Sequence, residues 1–404
     1  MLDSVLRGGR TLDAAASGSR GLPPADQALA VAIAGEVLRR IPDLDSLIDS
    51  ATRQRLPDDS KARMVLRMAL AQKVALDTPD HALVATALPL VDGGPRRLVH
   101  GVLGTLLRRG VPKIDKPRLP PEVELRWAEA WGEPVVEAAR RLIAKRPPLD
   151  LSFNSEEAAQ AFAAETGGIS LAPCHVRLRD AGAVPSLPGF GAGEWWVQDL
   201  AASLPARLIP SDAISVLDLC SAPGGKAMQM AAAGHRVVAL DASKQRLERL
   251  SGNLQRTGLS AELVHADALQ WPATRQYDAV LLDAPCSATG TFRRHPEVLY
   301  RARPRILAEA AGLQAKLLAR AIRWVRPGGT LVYSACSLEP QEGEAIVGEF
   351  LRSAAGLRTA PPAAGELPDW LQPTADGFVR VLPGLLEDQG GLDGFFAARL
   401  VRSA

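Results

Sequence analysis

Residues 216–230, VLDLCSAPGGKAMQM, decide the fold. An apolar run ends in Asp218 and Cys220, breaks over Ser221, Ala222, Pro223, Gly224 and Gly225, and resumes at Lys226 with helical spacing. Strand, glycine turn and helix form the opening unit of a nucleotide-binding α/β sheet. From about Ser211 the alternation continues. ISVLDLC, RVVALD, AELVHAD, YDAVLLDA and GTLVYSAC read as strands, and KAMQMAAAG, SKQRLERLSGNLQRTG and LAEAAGLQAKLLARAIRWV as the helices between them. This order implies βαβ units and a parallel sheet with helices on both faces. GLDGFFAARLVR offers a further strand near the carboxyl end.

In such sheets the ligand crevice lies outside the carboxyl ends of the strands. An acid stands at each of four successive strand ends: Asp218, Asp241, Asp267 and Asp283. A single aspartate there is more often a cap or turn former, but four in register make a ligand crevice the better reading. Asp241, at the end of the second strand, suits a ribose hydroxyl. The turn SAPGGK is neither GxGxxG nor GxxxxGK[ST], so a nucleoside without phosphates fits better than a dinucleotide. S-adenosylmethionine, whose sulfonium and amino groups are cationic, matches a crevice rich in carboxylates.

Two cysteines follow apolar strands that end at the same crevice: Cys286 in VLLDAPCSATGTFRRHPEV and Cys336 in TLVYSACSLEPQEGE. Carbon 5 of cytosine is a poor nucleophile, and methylating it requires prior attack of a thiolate on carbon 6. A thiol beside a methyl donor therefore points to that reaction, with a second ionisable group helping to remove the proton or expel the adduct. Position alone allows either Cys286 or Cys336 to attack. Cys174, beside Pro173, reads as a structural thiol, and Cys220 as packing within the cofactor turn.

Residues 24–109 read as successive amphipathic helices, with a break expected at Pro42 between ADQALAVAIAGEVLRRI and LDSLIDSATRQRL. A proline-rich linker, VPKIDKPRLPPEVE, precedes helical WAEAWGEPVVEAARRLIAK. LDLSFN, SEEAAQAFAAETG and ISLAPCHVRLRD then read as strand, helix and strand of a small α/β module. The expected organisation is multidomain: an all-α bundle over 1–115, a linker helix and small ferredoxin/RRM-like module over 116–190, and a Rossmann-like domain over 191–404.

Hydrophobic residues at 47% and charged residues at 23% exclude a disordered chain. Four cysteines without CxxC spacing signal neither a zinc site nor a disulfide framework, and reduced thiols in the cytoplasm are expected. No apolar core of signal-peptide type opens the chain, and no run of 18 apolar residues occurs, so neither secretion nor membrane spanning is expected. Net charge is only +2, yet residues 1–120 carry 18 Lys plus Arg against 13 Asp plus Glu, which suggests a mildly basic face for phosphates. Arg293, Arg294 and His295 are candidates for the RNA backbone or target base. Trp195 and Trp196 could stack on a base, although a tryptophan pair at a domain junction is more often core.

These motifs closely resemble those of the RNA cytosine-5 methyltransferases of the bacterial 16S rRNA type, the Fmu/Sun (RsmB-like, NOL1/NOP2/Sun) family, over nearly the full length. DLCSAPGGKAMQM resembles its cofactor loop, DASKQRLERLSGNLQRTG its ribose motif, and DAPCSATGTFRRHPEV and YSACSLEPQEGE its two cysteine motifs. LVHGVLGTLLRRG resembles part of the NusB-like RNA-binding domain. The resemblance implies that Cys336 attacks carbon 6 and Cys286 assists adduct release. It also implies that Cys220 through Lys226, Asp241, Asp267 and Asp283 line an S-adenosylmethionine site. The expected partner is RNA, 16S rRNA in particular, and the expected enzyme is a cytoplasmic monomer that uses no metal. Three positions depart from the family pattern: Ala335 stands where Thr is usual, Gly343 where Asn is frequent, and the His100–Gly101 region lacks the Asn common in the final bundle helix.

Overall fold

The computed structural model describes residues 1–354 and 356–404. The chain divides into two compact units. One contains Met1–Arg146 together with Phe292–Arg301, and the other contains Pro147–Thr291 and Ala302–Ala404.

The first unit is helical, with its longest elements at Pro24–Ser50, Lys61–Leu76 and Gly93–Arg109. Ser60 caps the second of these by accepting from the Arg63 amide, worth about 1 kcal/mol. The apolar stripe Val37, Leu38, Ile41, Leu44 and Ile48 packs on Leu66, Leu70, Val99 and Leu103. The break expected at Pro42 does not occur, because one helix runs through it. A proline inside a helix has no N–H for the carbonyl four residues back. That carbonyl, on Leu38, instead accepts the Tyr300 hydroxyl at 2.8 Å.

Several arginines counted above as a basic face are interior. Arg67 grips Asp45 through two 2.7 Å bonds, Arg63 lies 2.9 Å from the same carboxylate, and both guanidinium groups are buried. They join two helices and are withdrawn from any phosphate.

In the second unit, strands β1 (Leu149–Phe153), β2 (His175–Leu178) and β3 (Trp195–Val197) form an antiparallel sheet in the order β2-β1-β3. The helix Glu156–Thr166 packs on it through Ala159 and Phe162. The third strand lies beyond residue 190, the expected end of the small module. Its tryptophans are core, at 0% and 2% exposure, which removes Trp195 and Trp196 from base stacking.

Among the described residues eight strands make the large sheet: β4 (Ser215–Leu219), β5 (Arg236–Asp241), β6 (Glu262–His265), β7 (Tyr277–Asp283), β8 (Val325–Ala335), β9 (Leu357–Thr359), β10 (Val379–Val381) and β11 (Phe395–Arg402). Their order is β10-β11-β8-β7-β4-β5-β6, with β9 also paired to β11. Strands β4 to β8 are parallel, while β9, β10 and β11 are joined through antiparallel pairings. All five strands expected before β8 closes are present, and GLDGFFAARLVR supplies β11. Alternate residues face opposite sides: Val216, Ala279, Leu281 and Val332 enter one core, and Leu217, Val280, Leu282 and Leu331 the other. Chain order turns back at β4, whose neighbours are β5 and β7, and this places the crevice at its carboxyl end.

Candidate active site

The cofactor turn is built on β4. Cys220 takes a left-handed φ of 59°, and Gly224 (φ 106°) caps the helix Gly225–Ala232. A Cβ on Gly224 would lie 2.0 Å from Leu250 Cδ1, so the turn requires glycine there on both conformational and steric grounds. Asp241, buried at the end of β5, braces the turn. Its Oδ2 accepts the Ala222 amide at 3.1 Å and its Oδ1 the Ser243 amide at 2.8 Å. Arg246 bonds the Ala222 carbonyl and lies 3.4 Å from Asp241 Oδ2.

Asp283, ending β7, receives Lys226 Nζ at 2.7 Å and the Ser334 hydroxyl at 2.9 Å. Asp218 lies beneath them, fully buried, with neither carboxylate oxygen hydrogen-bonded. Burial first, and the negative charge of Asp283 second, push its carboxyl well above the usual range. Burial likewise pushes the Cys220 thiol up to about 12, with Asp283 and Asp241 adding to the shift, so Cys220 stays a protonated, packed sulfur. Asp267 is exposed beyond β6, its oxygens engaged by the Leu269 amide and the Gln270 side chain. The residues suit a nucleoside with a cationic centre: a glycine turn without a phosphate nest, an unpartnered buried Ser221 hydroxyl, and carboxylates at successive strand ends. A depression of about 720 Å³, lined by residues such as His235, Arg236, Glu262 and Arg275, lies at the opposite, amino-terminal edge of the sheet and holds no cysteine.

Cys286 and Cys336 meet. Their Sγ atoms are 3.4 Å apart, since β7 and β8 are paired through Asp283↔Ser334 and the two loops leave the sheet side by side. Ala284 donates to the Ser334 carbonyl at 2.8 Å and Gly290 to the Cys336 carbonyl at 3.1 Å. Gly394 in turn donates to the Gly290 carbonyl at 2.9 Å, and a Cβ on Gly290 would collide with Gly394 O at 1.9 Å. The hydrogen bond shared with Cys336, then burial, then the Cys336 charge and the nearby Glu342 all raise the Cys286 thiol well above its ordinary range. Either sulfur of the pair can act as the S–H donor.

Two groups escaped the sequence reading. Glu342, Ser287 and Ser337 form a buried polar knot behind the cysteines. The repeated Cys-Ser pair in both motifs was its signal. Arg380 on β10 is the second, donating to the Ser337 carbonyl at 2.7 Å and paired with Glu344 at 2.6 Å. Of the RNA candidates, Arg293 is 1% exposed, and its carbonyl accepts from Arg39 at 2.7 Å. A side chain so enclosed does not present itself to an RNA backbone. Arg294 and His295 are half-buried, with His295 Nδ1 3.7 Å from Glu297. Cys174 is a half-buried residue in the small module, and burial raises its thiol. Among the described residues no cluster of metal-ligating side chains occurs, and no helix is long and apolar enough to cross a membrane.

The reversal at β4, the acids at the strand ends and the antiparallel β11 define a Rossmann-like methyltransferase, here with a thiol pair at its mouth. The profile of the family "16S rRNA methyltransferase RsmB/F" matches residues 205–401, and that of the NusB family residues 4–108. The chain is 34% identical to "Ribosomal RNA small subunit methyltransferase B" of Erwinia tasmaniensis over 407 aligned residues, covering 93% of this chain and 91% of that protein. It is 34% identical to the protein of the same name from Klebsiella pneumoniae, covering 99% and 96%. The crystal structure of PH0851 superimposes with a TM-score of 0.71 at 23% identity, covering 94% of this chain and 90% of that one. The chain therefore belongs to the RsmB/F family of 16S rRNA methyltransferases, with a NusB-family domain ahead of the methyltransferase fold.

Proposed function

We propose that the chain methylates carbon 5 of a cytosine in 16S rRNA, using S-adenosylmethionine and a transient bond between Cys336 and carbon 6. The observation that carries this reading is the 3.4 Å approach of two thiols from separate strand ends beside an acid-lined nucleoside turn. The shared name of the relatives, ribosomal RNA small subunit methyltransferase, supports RNA of the small subunit as substrate. When bound, S-adenosylmethionine supplies an electrophilic methyl group on a cationic sulfur.

The chain's own residues do the rest. Cys220 through Lys226 form the cofactor wall, with Asp241 holding the turn and the ribose, Asp267 facing the adenine side, and Asp283 fixed by Lys226. The Cys336 thiolate adds to carbon 6, and the electron pair displaced toward carbon 5 makes that carbon the nucleophile. After methylation the carbon 5 proton passes to solvent water, its electron pair re-forms the carbon 5–carbon 6 double bond and expels the Cys336 sulfur, and aromaticity returns. Cys286, held as a thiol, donates toward the Cys336 sulfur and assists its departure. Arg294 and His295 are the remaining candidates for RNA contact from that loop.

Labelled cofactor incubated with unmodified 16S rRNA, followed by nucleoside analysis, yields 5-methylcytidine if this reading holds. Label in transfer RNA or DNA alone would redirect the substrate, and no label in any cytidine would favour a non-catalytic RNA-binding factor.

A further inference from the structure

Behind the two sulfurs lies a carboxylate that the reaction scheme does not use. Glu342, on the short turn Pro340–Glu342, is 0% exposed. Four donors converge on it. Oε1 accepts the Ser287 amide at 2.8 Å and the Gln314 side-chain amide at 3.2 Å. Oε2 accepts the Ser337 hydroxyl at 2.5 Å and the Ser287 hydroxyl. Its own carbonyl receives the Tyr333 hydroxyl at 2.8 Å.

A buried carboxyl group is costly unless its lone pairs are met, and this donor set meets them. The placement is specific. Ser287 directly follows Cys286, and Ser337 directly follows Cys336, so a single side chain holds the residue after each sulfur. Ser337 is held on its other side as well, within 3.2 Å of the Thr289 hydroxyl, and Thr289 accepts the Leu338 amide at 3.0 Å.

We infer that Glu342 is the positioning residue of the cysteine pair: by accepting from the residue that follows each sulfur, it clamps the Cys286 loop to the Cys336 loop. This rests on the covalent mechanism proposed above. A clamp made only for stability could be built from hydroxyls or apolar contacts. A negative charge adds something they lack, because it opposes ionisation of the neighbouring thiol. The titratable groups facing Cys286 are Cys336, Glu342 and Tyr333, with Asp283, paired to Lys226, on its own strand. Of the carboxylates among them, Glu342 contributes most to holding the Cys286 proton. The consequence is a division of labour: one sulfur remains a donor and its neighbour is free to attack.

The test uses the full chain carrying Glu342→Gln, which keeps size but removes charge and one acceptor. Two readouts are needed: steady-state methylation of 16S rRNA, and the pH dependence of Cys286 alkylation by iodoacetamide without RNA, read by peptide mass spectrometry. The expected result is a kcat at least tenfold lower, KM for RNA and cofactor within twofold of the parent, and Cys286 alkylation shifted to lower pH. Glu342→Asp, which keeps charge but shortens the reach, should restore the alkylation profile while kcat stays low. An unchanged alkylation profile in Glu342→Gln overturns the inference, whether kcat is normal or falls together with the melting temperature. If the parent protein itself fails to methylate any cytidine, the proposed function fails, and the alkylation comparison still decides the role of Glu342.

Discussion

The sulfurs of Cys286 and Cys336 stand 3.4 Å apart although they come from different strands and different loops. Such an approach follows from β7 and β8 being neighbours in the sheet. The roles proposed for the two sulfurs differ, so the two alanine variants should too. Cys336→Ala should abolish 5-methylcytidine formation, losing at least a thousandfold in kcat, while cofactor binding by calorimetry stays within a few-fold of the parent. Normal turnover in that variant would move the nucleophile to Cys286.

Gly343 stands where the resemblance led to an expectation of asparagine, and the structure shows what fills the space. A Cβ there would lie 2.5 Å from Arg380 Nη2 and 2.9 Å from Phe396 Cγ. Arg380 uses that room to stack on Phe396, at 4.8 Å from the ring centre, and to hold the Ser337 carbonyl. Gly343→Asn alone should therefore lower stability by about 1–3 kcal/mol, as overpacking does. Urea unfolding would measure it, and activity should fall with it because the Cys336 loop loses its tether.

Tyr300 completes the hydrogen bonding of the helix interrupted chemically by Pro42. Tyr300→Phe leaves the Leu38 carbonyl buried without a donor, at an expected cost of about 1–3 kcal/mol. The same substitution should leave cofactor affinity unchanged. Thermal unfolding with and without cofactor separates the two effects.

Asp218 makes stability depend on pH. Its folded pKa lies above the unfolded value of about 3.9, so the native state holds a proton that the unfolded state releases. Below the unfolded pKa there is no penalty. Stability is lost progressively as pH rises from there toward the folded pKa. Asp218→Asn carries no such proton, and its melting temperature should exceed that of the parent at pH 7 and converge with it near pH 4. Parallel curves across that range would contradict the assignment.

Much of this site was legible in the residues. Strands β4 to β8 and β11 could be read because each is an apolar run bounded by turn-forming residues, which is local information, whereas β9 and β10, three residues each, carry too short a pattern to be read. Cys286 and Cys336 were recognisable from their motifs, but their contact depends on strand order, which no local pattern encodes. Glu342 was invisible as a positioning group because its partners, Ser287 and Gln314, lie 55 and 28 residues away. The Pro42 break failed for the same reason, since the compensating donor, Tyr300, is 262 residues from Leu38. Arg293 and the buried Arg63 and Arg67 misled because charge counted along a chain does not reveal which side chains turn inward.

The adduct itself is the most direct measure of the account. Cys286→Ala, incubated with cofactor and unmodified 16S rRNA, then denatured and digested for peptide mapping, should show RNA covalently joined to the peptide carrying Cys336. RNA released free of protein, or joined through any other residue, would contradict it.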